Sequence, residues 1–327
     1  MVRWAPRDVP LVRRRQTFSI VLWIFLMPLT VSLYFFFYLY RPAIPFLLLY
    51  ALFIAFDPSP EKGARKIMWF RRLKLWTWMK EYFPMSLVKS AELGDRPVIF
   101  GYHPHGIIGL GAFVNFGTEA NDFSTLFPKQ DLRVLTLASN FRGPIWREIL
   151  LTLGFASVSK RSVESILRKG GSCMIVVGGA SEALHSFPGT YDLILKRRFG
   201  FIKLALKYGV DLVPVVAFGE TDIWDQLPNP PGSLIYTIQK TIQKVMSVSP
   251  PIFFGRGIFQ YDVGIVPHRR PVTTVVGKPV KVPKVEEPSD EVVRKYHEMY
   301  CRALIQTFDE NKEKYAPDRK RDMKIIE

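Results

Sequence analysis

Cysteine is nearly absent: the 327 residues hold two, Cys173 and Cys301. That excludes a disulfide framework, a CxxC redox pair and a cysteine zinc site, and it suits a reducing, cytosol-facing compartment. Histidine is scarce as well, with five in the chain. Acidic residues are outnumbered, 29 Asp and Glu against 45 Lys and Arg, for a formal net charge of +16. Such an excess points to an anionic partner: a membrane surface, a nucleic acid or a polyanionic cofactor. No nucleic-acid-binding motif accompanies it, and the basic residues crowd beside apolar segments, so nucleic acid is set aside. Disorder is excluded, because 48% of the residues are hydrophobic and 14% aromatic, enough to bury a core.

Charge is missing altogether from Phe18 to Tyr40, a run of 23 residues. As a helix that run crosses a hydrocarbon core of about 30 Å. Arg41-Pro42 interrupts, and a second apolar run, Ala43 to Phe56, is too short to span alone and reads as the return limb of a hairpin. A signal peptide would have a shorter apolar stretch and a small-residue cleavage site; neither fits. Arg3, Arg7, Arg13, Arg14 and Arg15 precede the hairpin, and Lys62, Arg65, Lys66, Arg71, Arg72 and Lys74 follow it. The positive-inside rule then places both ends in the cytosol. Within residues 61–83, Trp69, Leu73, Trp76, Met79 and Phe83 recur at helical spacing among Arg and Lys, the pattern of a helix lying in the headgroup plane. The chain thus divides into a basic N-terminus (1–17), a membrane hairpin (18–56), an interfacial amphipathic segment (57–94), a globular part (95–316) and a charged C-terminal tail (317–327).

The globular part alternates short apolar runs with helical patterns. Strands are expected at 97–102, 132–138, 173–178, 212–218 and 273–277, and helices at 144–153, 162–169, 199–208, 233–246 and 290–315, with Ser289 as an N-cap. Near-continuous apolar strands alternating with helices imply an α/β fold, a mixed central sheet covered by helices on both faces.

Two of the five histidines fall one residue apart in "FGYHPHGIIGLGAF", residues 100–113, directly after the first of these strands. Strand C-terminal ends line the ligand crevice of open α/β sheets. A helix over 107–117 would begin there, with the amides of Gly106 and Ile107 facing the crevice as oxyanion donors. A neutral imidazole suits general-base catalysis. Metal binding needs further ligands, and His185, His268 and His297 are scattered, so no metal is expected. Asn115, Glu119 and Glu182 are candidates to orient the base. Lys196, Arg197, Arg198 and Lys203, beside Gly200 at a helix start, and Arg142 separately, could hold phosphates. Gly179-Ala180-Ser181-Glu182-Ala183 falls one residue short of a GxSxG elbow, so a serine lipase with Ser181 as nucleophile is an alternative. A non-enzymatic lipid-droplet scaffold, anchored by the hairpin, is another.

Several motifs in order decide among these. Tyr82-Phe83-Pro84, His103-Pro104-His105-Gly106 and "GAFVNFGTEA" at 111–120 make the chain resemble the acyl-CoA:diacylglycerol acyltransferase type 2 family, which includes monoacylglycerol and wax-alcohol acyltransferases. The likeness runs from the hairpin to about residue 316. The family's neutral-lipid motif FLxLxxxN is matched at Phe46-Leu47-Leu48-Leu49, with Phe53 where Asn stands. The resemblance implies a glycerolipid-acyltransferase-like fold and an endoplasmic-reticulum membrane enzyme, also compatible with the lipid-droplet surface. It would esterify a lipid alcohol, diacylglycerol foremost, from acyl-CoA. Acyl-CoA, the acceptor and membrane lipids are then the partners, self-association is left open, and no permanently bound cofactor is required. His105 is taken as the base, with His103 positioning it or binding substrate. Glycerophosphate-type acyltransferases place an aspartate five residues after their histidine; here those positions are Ile108 and Leu110.

Overall fold

The computed structural model describes residues 2–228, 230, 232–246 and 251–326. Residues 1 and 327, the ends of the expected terminal segments, lie outside them. Among the described residues eleven strands occur: β1 (Met85–Lys89), β2 (Val98–His103), β3 (Leu132–Thr136), β4 (Phe155–Ser157), β5 (Ser172–Val176), β6 (Asp192–Leu193), β7 (Asp211–Phe218), β8 (Asp225–Gln226), β9 (Phe253–Phe254), β10 (Val272–Val276) and β11 (Lys324–Ile325). The helices used below are α1 (Leu11–Phe36), α2 (Ile44–Phe56), α3 (Met68–Arg71), α4 (Lys74–Tyr82), α5 (Leu110–Gly117), α6 (Phe123–Leu126), α7 (Trp146–Leu153), α8 (Lys160–Arg168), α9 (Gly179–Ala183), α10 (Gly200–Tyr208), α11 (Leu234–Met246) and α12 (Asp290–Asp309).

Seven strands form one mixed sheet in the order β1-β10-β7-β2-β5-β3-β4. All neighbours pair parallel except β10 and β7. The C-terminal ends of β2, β3, β4, β5 and β7 therefore share one edge with the starts of β1 and β10. Central strands β2 and β7 are buried at every residue, which is why they read as unbroken apolar runs rather than alternating ones. Pro214 sits inside β7 at the point where β10 ends its ladder, and the Gly277 amide donates to the Pro214 carbonyl at 2.8 Å; the missing N–H therefore falls where no partner strand needs it.

The sheet carries a core on each face. One packs Phe100 and Tyr102 against Phe113 and Phe116 of α5, Trp76 and Met79 of α4, Leu150 of α7 and Ile20 of α1. The other packs Ile99 and Cys173 against Val163 and Ile166 of α8, Ile202 of α10 and Tyr300, Leu304 and Phe308 of α12. Ser159 and Ser289 cap α8 and α12, each accepting from the amide three residues on, as expected for Ser289.

Several boundaries depart from expectation. Residues 61–83 are not one interfacial helix but α3 and α4, and Trp76, Met79, Tyr82 and Phe83 are buried in the core while Trp69 stays 66% exposed. Their helical spacing marks a packed face instead of a headgroup-facing one. The C-terminal tail is docked, not loose: β11 pairs with β6, and Arg321 pairs with Asp192. Strands β1 and β4 of the seven-stranded sheet and the short β6, β8, β9 and β11 are additional.

Helices α1 and α2 stand apart by their exposure. Both are long and apolar enough, with the turns that extend them, to cross a membrane. Helix α2 buries none of its residues. Beyond its base helix α1 buries Thr30 and Tyr34 and is otherwise largely exposed, and it rests on the sheet domain at its start, with Ile20 fully buried, Trp23 edge-on to Phe113 and the Arg269 guanidinium donating to Gln16 Oε1. The Tyr34 hydroxyl donates to the Leu47 carbonyl between the two helices, and the Ile145 amide donates to the Tyr50 hydroxyl.

Candidate active site

β2 ends at His103, and the peptide bond to Pro104 is cis. Because side chains alternate along a strand, Tyr102 points to the α5 face and His103 to the α12 face. His103 is fully buried; its Nε2 lies 3.1 Å from the Tyr300 hydroxyl, which also contacts the Gly101 carbonyl at 3.2 Å. Burial pushes its pKa down to about 3, so this imidazole stays neutral. It is part of the packing beneath the turn.

His105 is only half-buried. Its Nδ1 lies 3.0 Å from the Gly106 carbonyl. A carbonyl only accepts, so Nδ1 carries the proton and Nε2 keeps a free lone pair. Burial also lowers the His105 pKa, favouring the neutral form that a general base requires. Among the described residues no carboxylate bonds the ring. The side-chain contact the ring does make is to the Gly106 carbonyl.

The turn is held by two buried glutamates, one on each side. Glu182 of α9 accepts the His105 amide at 2.6 Å and the Ile194 amide at 2.9 Å. Glu220, just beyond β7, accepts the Leu110 amide at 2.7 Å, the Gly111 amide at 2.9 Å and the Tyr102 hydroxyl at 2.8 Å. Burial raises both carboxyls to about 7 against these stabilising bonds. Gly106 adopts φ +64°, and a Cβ there would lie 2.7 Å from Glu220 Cγ. Its lack of a side chain is thus required twice over. Glu220 is the functional residue that sequence reasoning missed. The signal was present: an acid two residues beyond the apolar run 212–218.

Two expectations about the turn are corrected. Helix α5 begins at Leu110, not 107, because Gly106 and Gly109 both take positive φ. Its first amides already serve Glu220, so Gly106 and Ile107 lie in the turn ahead of the helix rather than at its start. Asn115 and Glu119 are engaged elsewhere. Asn115 donates to Thr274 Oγ1 at 2.9 Å and accepts from Asn121. Glu119 pairs with Arg71 at 3.1 Å and accepts the Ser124 amide. Of the three groups considered for orienting the histidine, Glu182 alone bonds it, and through the backbone.

Of the basic residues, Arg197, Arg198 and Lys203 line one groove of about 980 Å³ with Lys160, Arg168 and Lys207. It runs between α8 and α10 down to Lys284, with Glu286 and Glu287 also in its lining, and His105 is not among the residues that line it. Lys196 turns away to the Ile326 carbonyl, and Arg142 lies in the β3–α7 loop, where Gly143 abuts Val31 of α1. Lys203 pairs with Asp290 at 3.1 Å. Ser181 sits within α9, and positive φ at this corner belongs to Gly179 instead; it is not the strained corner residue of a nucleophile elbow. Among the described residues no three His, Cys, Asp or Glu side chains converge as a metal site would need.

A family model described as diacylglycerol acyltransferase matches residues 35–325. The chain is 45% identical to diacylglycerol O-acyltransferase 2B of Umbelopsis ramanniana over 99% of its own length and 95% of the relative's. It is 42% identical to diacylglycerol O-acyltransferase 2 of Dictyostelium discoideum over 99% and 100% of the two chains, and 45% identical to the Homo sapiens protein of that name over 82% and 71%. The solved structure of the 1-acyl-sn-glycerophosphate acyltransferase PlsC from Thermotoga maritima aligns over 85% of this chain and 96% of its own, at 17% identity and a TM-score of 0.37. The molecule is therefore an acyltransferase. More narrowly, it belongs to the diacylglycerol acyltransferase family.

Proposed function

We propose that the chain esterifies diacylglycerol with the fatty acyl group of acyl-CoA, giving triacylglycerol and CoA, while held in the endoplasmic-reticulum membrane by α1 and α2 with both chain ends in the cytosol. The observation that carries the mechanism is the His105 ring, whose Nδ1 is engaged by the Gly106 carbonyl at 3.0 Å, leaving Nε2 as a base at the crevice. Nε2 takes the proton of the acceptor hydroxyl, the oxygen attacks the thioester carbonyl, the C–S bond breaks, and the proton passes to the departing thiolate. The amides of Gly106 and Ile107, which Glu220 does not occupy, offer donors to the oxyanion. His103 and Tyr300 support the turn from beneath. The groove of Arg197, Arg198 and Lys203 receives the phosphates of CoA, and the reaction needs no resident cofactor or metal.

Insertion is supported by energetics. Phe25, Leu29, Leu33, Phe36, Phe46, Leu49 and Phe56 are all more than 40% exposed, and each apolar residue gains roughly 0.3–0.6 kcal/mol in a bilayer centre. The test is expression in cells lacking neutral-lipid synthesis, with labelled acyl-CoA and each acceptor supplied. Triacylglycerol is the expected product, and its loss with His105→Ala in protein still membrane-bound is the second expectation. Ester made from monoacylglycerol or long-chain alcohol in its place would overturn the acceptor assignment.

A further inference from the structure

A cavity of about 1470 Å³, larger than the groove assigned to CoA, lies apart from that groove. It lies between the N-terminal segment, the first turns of α1, the Tyr82–Pro84 corner and residues 256–269. Since β10 runs antiparallel to β7, the starts of β1 and β10 share the sheet edge of His105. The cavity thus opens on the same edge, three strands to the other side, roughly 15 Å at normal strand spacing.

Arg7, Arg13, Arg14, Arg256 and Arg269 line it, against Asp8 as the one lining carboxylate. Of the acids close by, Asp262 pairs with Arg3 and Asp225 with His268, while Glu81 accepts from Gln16 Nε2 at 3.5 Å. Among the described residues none of the five arginines has an ion-pair partner. Arg256 is 9% exposed and bonds only neutral oxygens, the Tyr82 hydroxyl at 2.9 Å and Thr17 Oγ1 at 3.3 Å. Arg269 stacks 4.1 Å over the Tyr82 ring and donates to Gln16, Thr17 and the Arg13 carbonyl. Its burial and its cationic neighbours lower its pKa to about 10. Buried guanidiniums without a counter-anion are costly unless an anion arrives. The opposite wall is apolar: Phe18, Val21, Ile258 and Phe259, and it continues up the exposed face of α1.

We propose that this cavity binds the phosphate headgroup of an anionic glycerophospholipid, with the acyl chains following α1 from Phe18 and Val21. A basic end and an apolar end on one cavity fit a charged amphiphile. A free anion would leave most of the volume and the apolar wall unused. The position of that wall, at the base of the helix read here as entering the bilayer, selects a lipid already in the membrane over a soluble one. The assignment rests on that reading of α1, and the probes below are water-soluble so that binding is scored apart from insertion and acyl transfer.

Detergent-purified full-length protein is titrated with dihexanoyl phosphatidate, dihexanoyl phosphatidylcholine, inorganic phosphate and CoA, and thermal stabilisation gives each affinity. Phosphatidate is expected to bind saturably, at least tenfold tighter than phosphatidylcholine or inorganic phosphate, and CoA is expected not to displace it. Arg269→Gln should weaken phosphatidate at least tenfold, the loss of a charge-assisted hydrogen bond. Should that buried change compromise folding, the exposed pair Arg7→Glu and Arg13→Glu decides, with the same expected loss. Equal binding of the two lipids, or affinity untouched by these variants, overturns the proposal. Inorganic phosphate binding as tightly would make it a free-anion site, and displacement by CoA would make it the donor's; either sinks the lipid assignment.

Discussion

Replacing Gly101 by alanine probes how the catalytic turn is supported. A Cβ at 101 would fall 1.9 Å from the Tyr300 hydroxyl and 2.9 Å from its Cζ, so the tyrosine must move. Its displacement breaks the contact with His103 Nε2 and the bond to the Gly101 carbonyl. Two buried hydrogen bonds contribute about 1 kcal/mol each, more where a partner is stranded, and forcing a methyl into a packed core costs about 1–3 kcal/mol. The sum is about 3–5 kcal/mol, a large part of a typical stability of about 5–15 kcal/mol. Tyr300→Phe alone should cost about 1–2 kcal/mol. It also removes the worst overlap, so Gly101→Ala with Tyr300→Phe should be at least about 1 kcal/mol more stable than the sum of the single changes. Thermal unfolding of the detergent-solubilised chain measures the cycle, with acyl transfer assayed in parallel. Strict additivity would refute the steric argument. Turnover of Tyr300→Phe should fall less than tenfold, because His103 positions the turn without touching the reacting atoms; a loss as deep as that of His105→Ala would refute that role.

His105→Ala should lower kcat by about 10²–10⁴ with little change in unfolding temperature, and near-normal turnover would remove it as the base. Burial lowers its pKa below 6.5, so the acid limb of kcat/KM should lie below 6.5; a limb above 7 contradicts the assignment. Glu220 titrates near 7 in the native protein against 4.5 when unfolded, so the native state binds more protons between those values. Stability should then fall as pH rises from about 4.5 to 7 and level off above, by about 3 kcal/mol for this carboxyl. Glu220→Gln should flatten the profile by that share, and an unchanged slope would count against it. Arg197→Glu with Arg198→Glu should raise the KM for acyl-CoA at least tenfold with a smaller effect on kcat; an unmoved KM would remove the groove from donor binding.

Of the five strands legible in the sequence, β2 and β7 are buried at every residue and β3, β5 and β10 at most of theirs, so mainly apolar runs of five or more residues marked them. β4, with three residues, offers too little pattern. β1, "MSLVK", is an edge strand whose register depends on β10, nearly two hundred residues on. The tryptophan spacing over 69–83 correctly reported a helical apolar face, yet spacing cannot say whether lipid or protein covers it; α1 and α5 do for Trp76 and Met79. At the site, the histidine turn was legible as a motif because it follows a strand. Of its supports Glu182 was a candidate in the sequence, whereas Glu220 and Tyr300 come from later parts of the chain that only the fold brings to the turn. Asn115 and Glu119 lay close in sequence, and that proximity was misleading: their partners are Thr274 and Arg71.

Helix α1 is not a tether. Ile20 lies in the same core as Phe100 and Tyr102, and Gln16 is bonded to Arg269, so the segment expected to enter the lipid is also a load on the sheet domain. A chain trimmed of its first forty residues would therefore be a damaged enzyme, not a soluble one. With α1 in a bilayer, the same mount would fix the angle at which the histidine edge meets it. A flexible leash would let the domain sample every tilt; this one sets a single bearing, so a short insertion near residue 22 should misdirect the crevice without touching any residue in it.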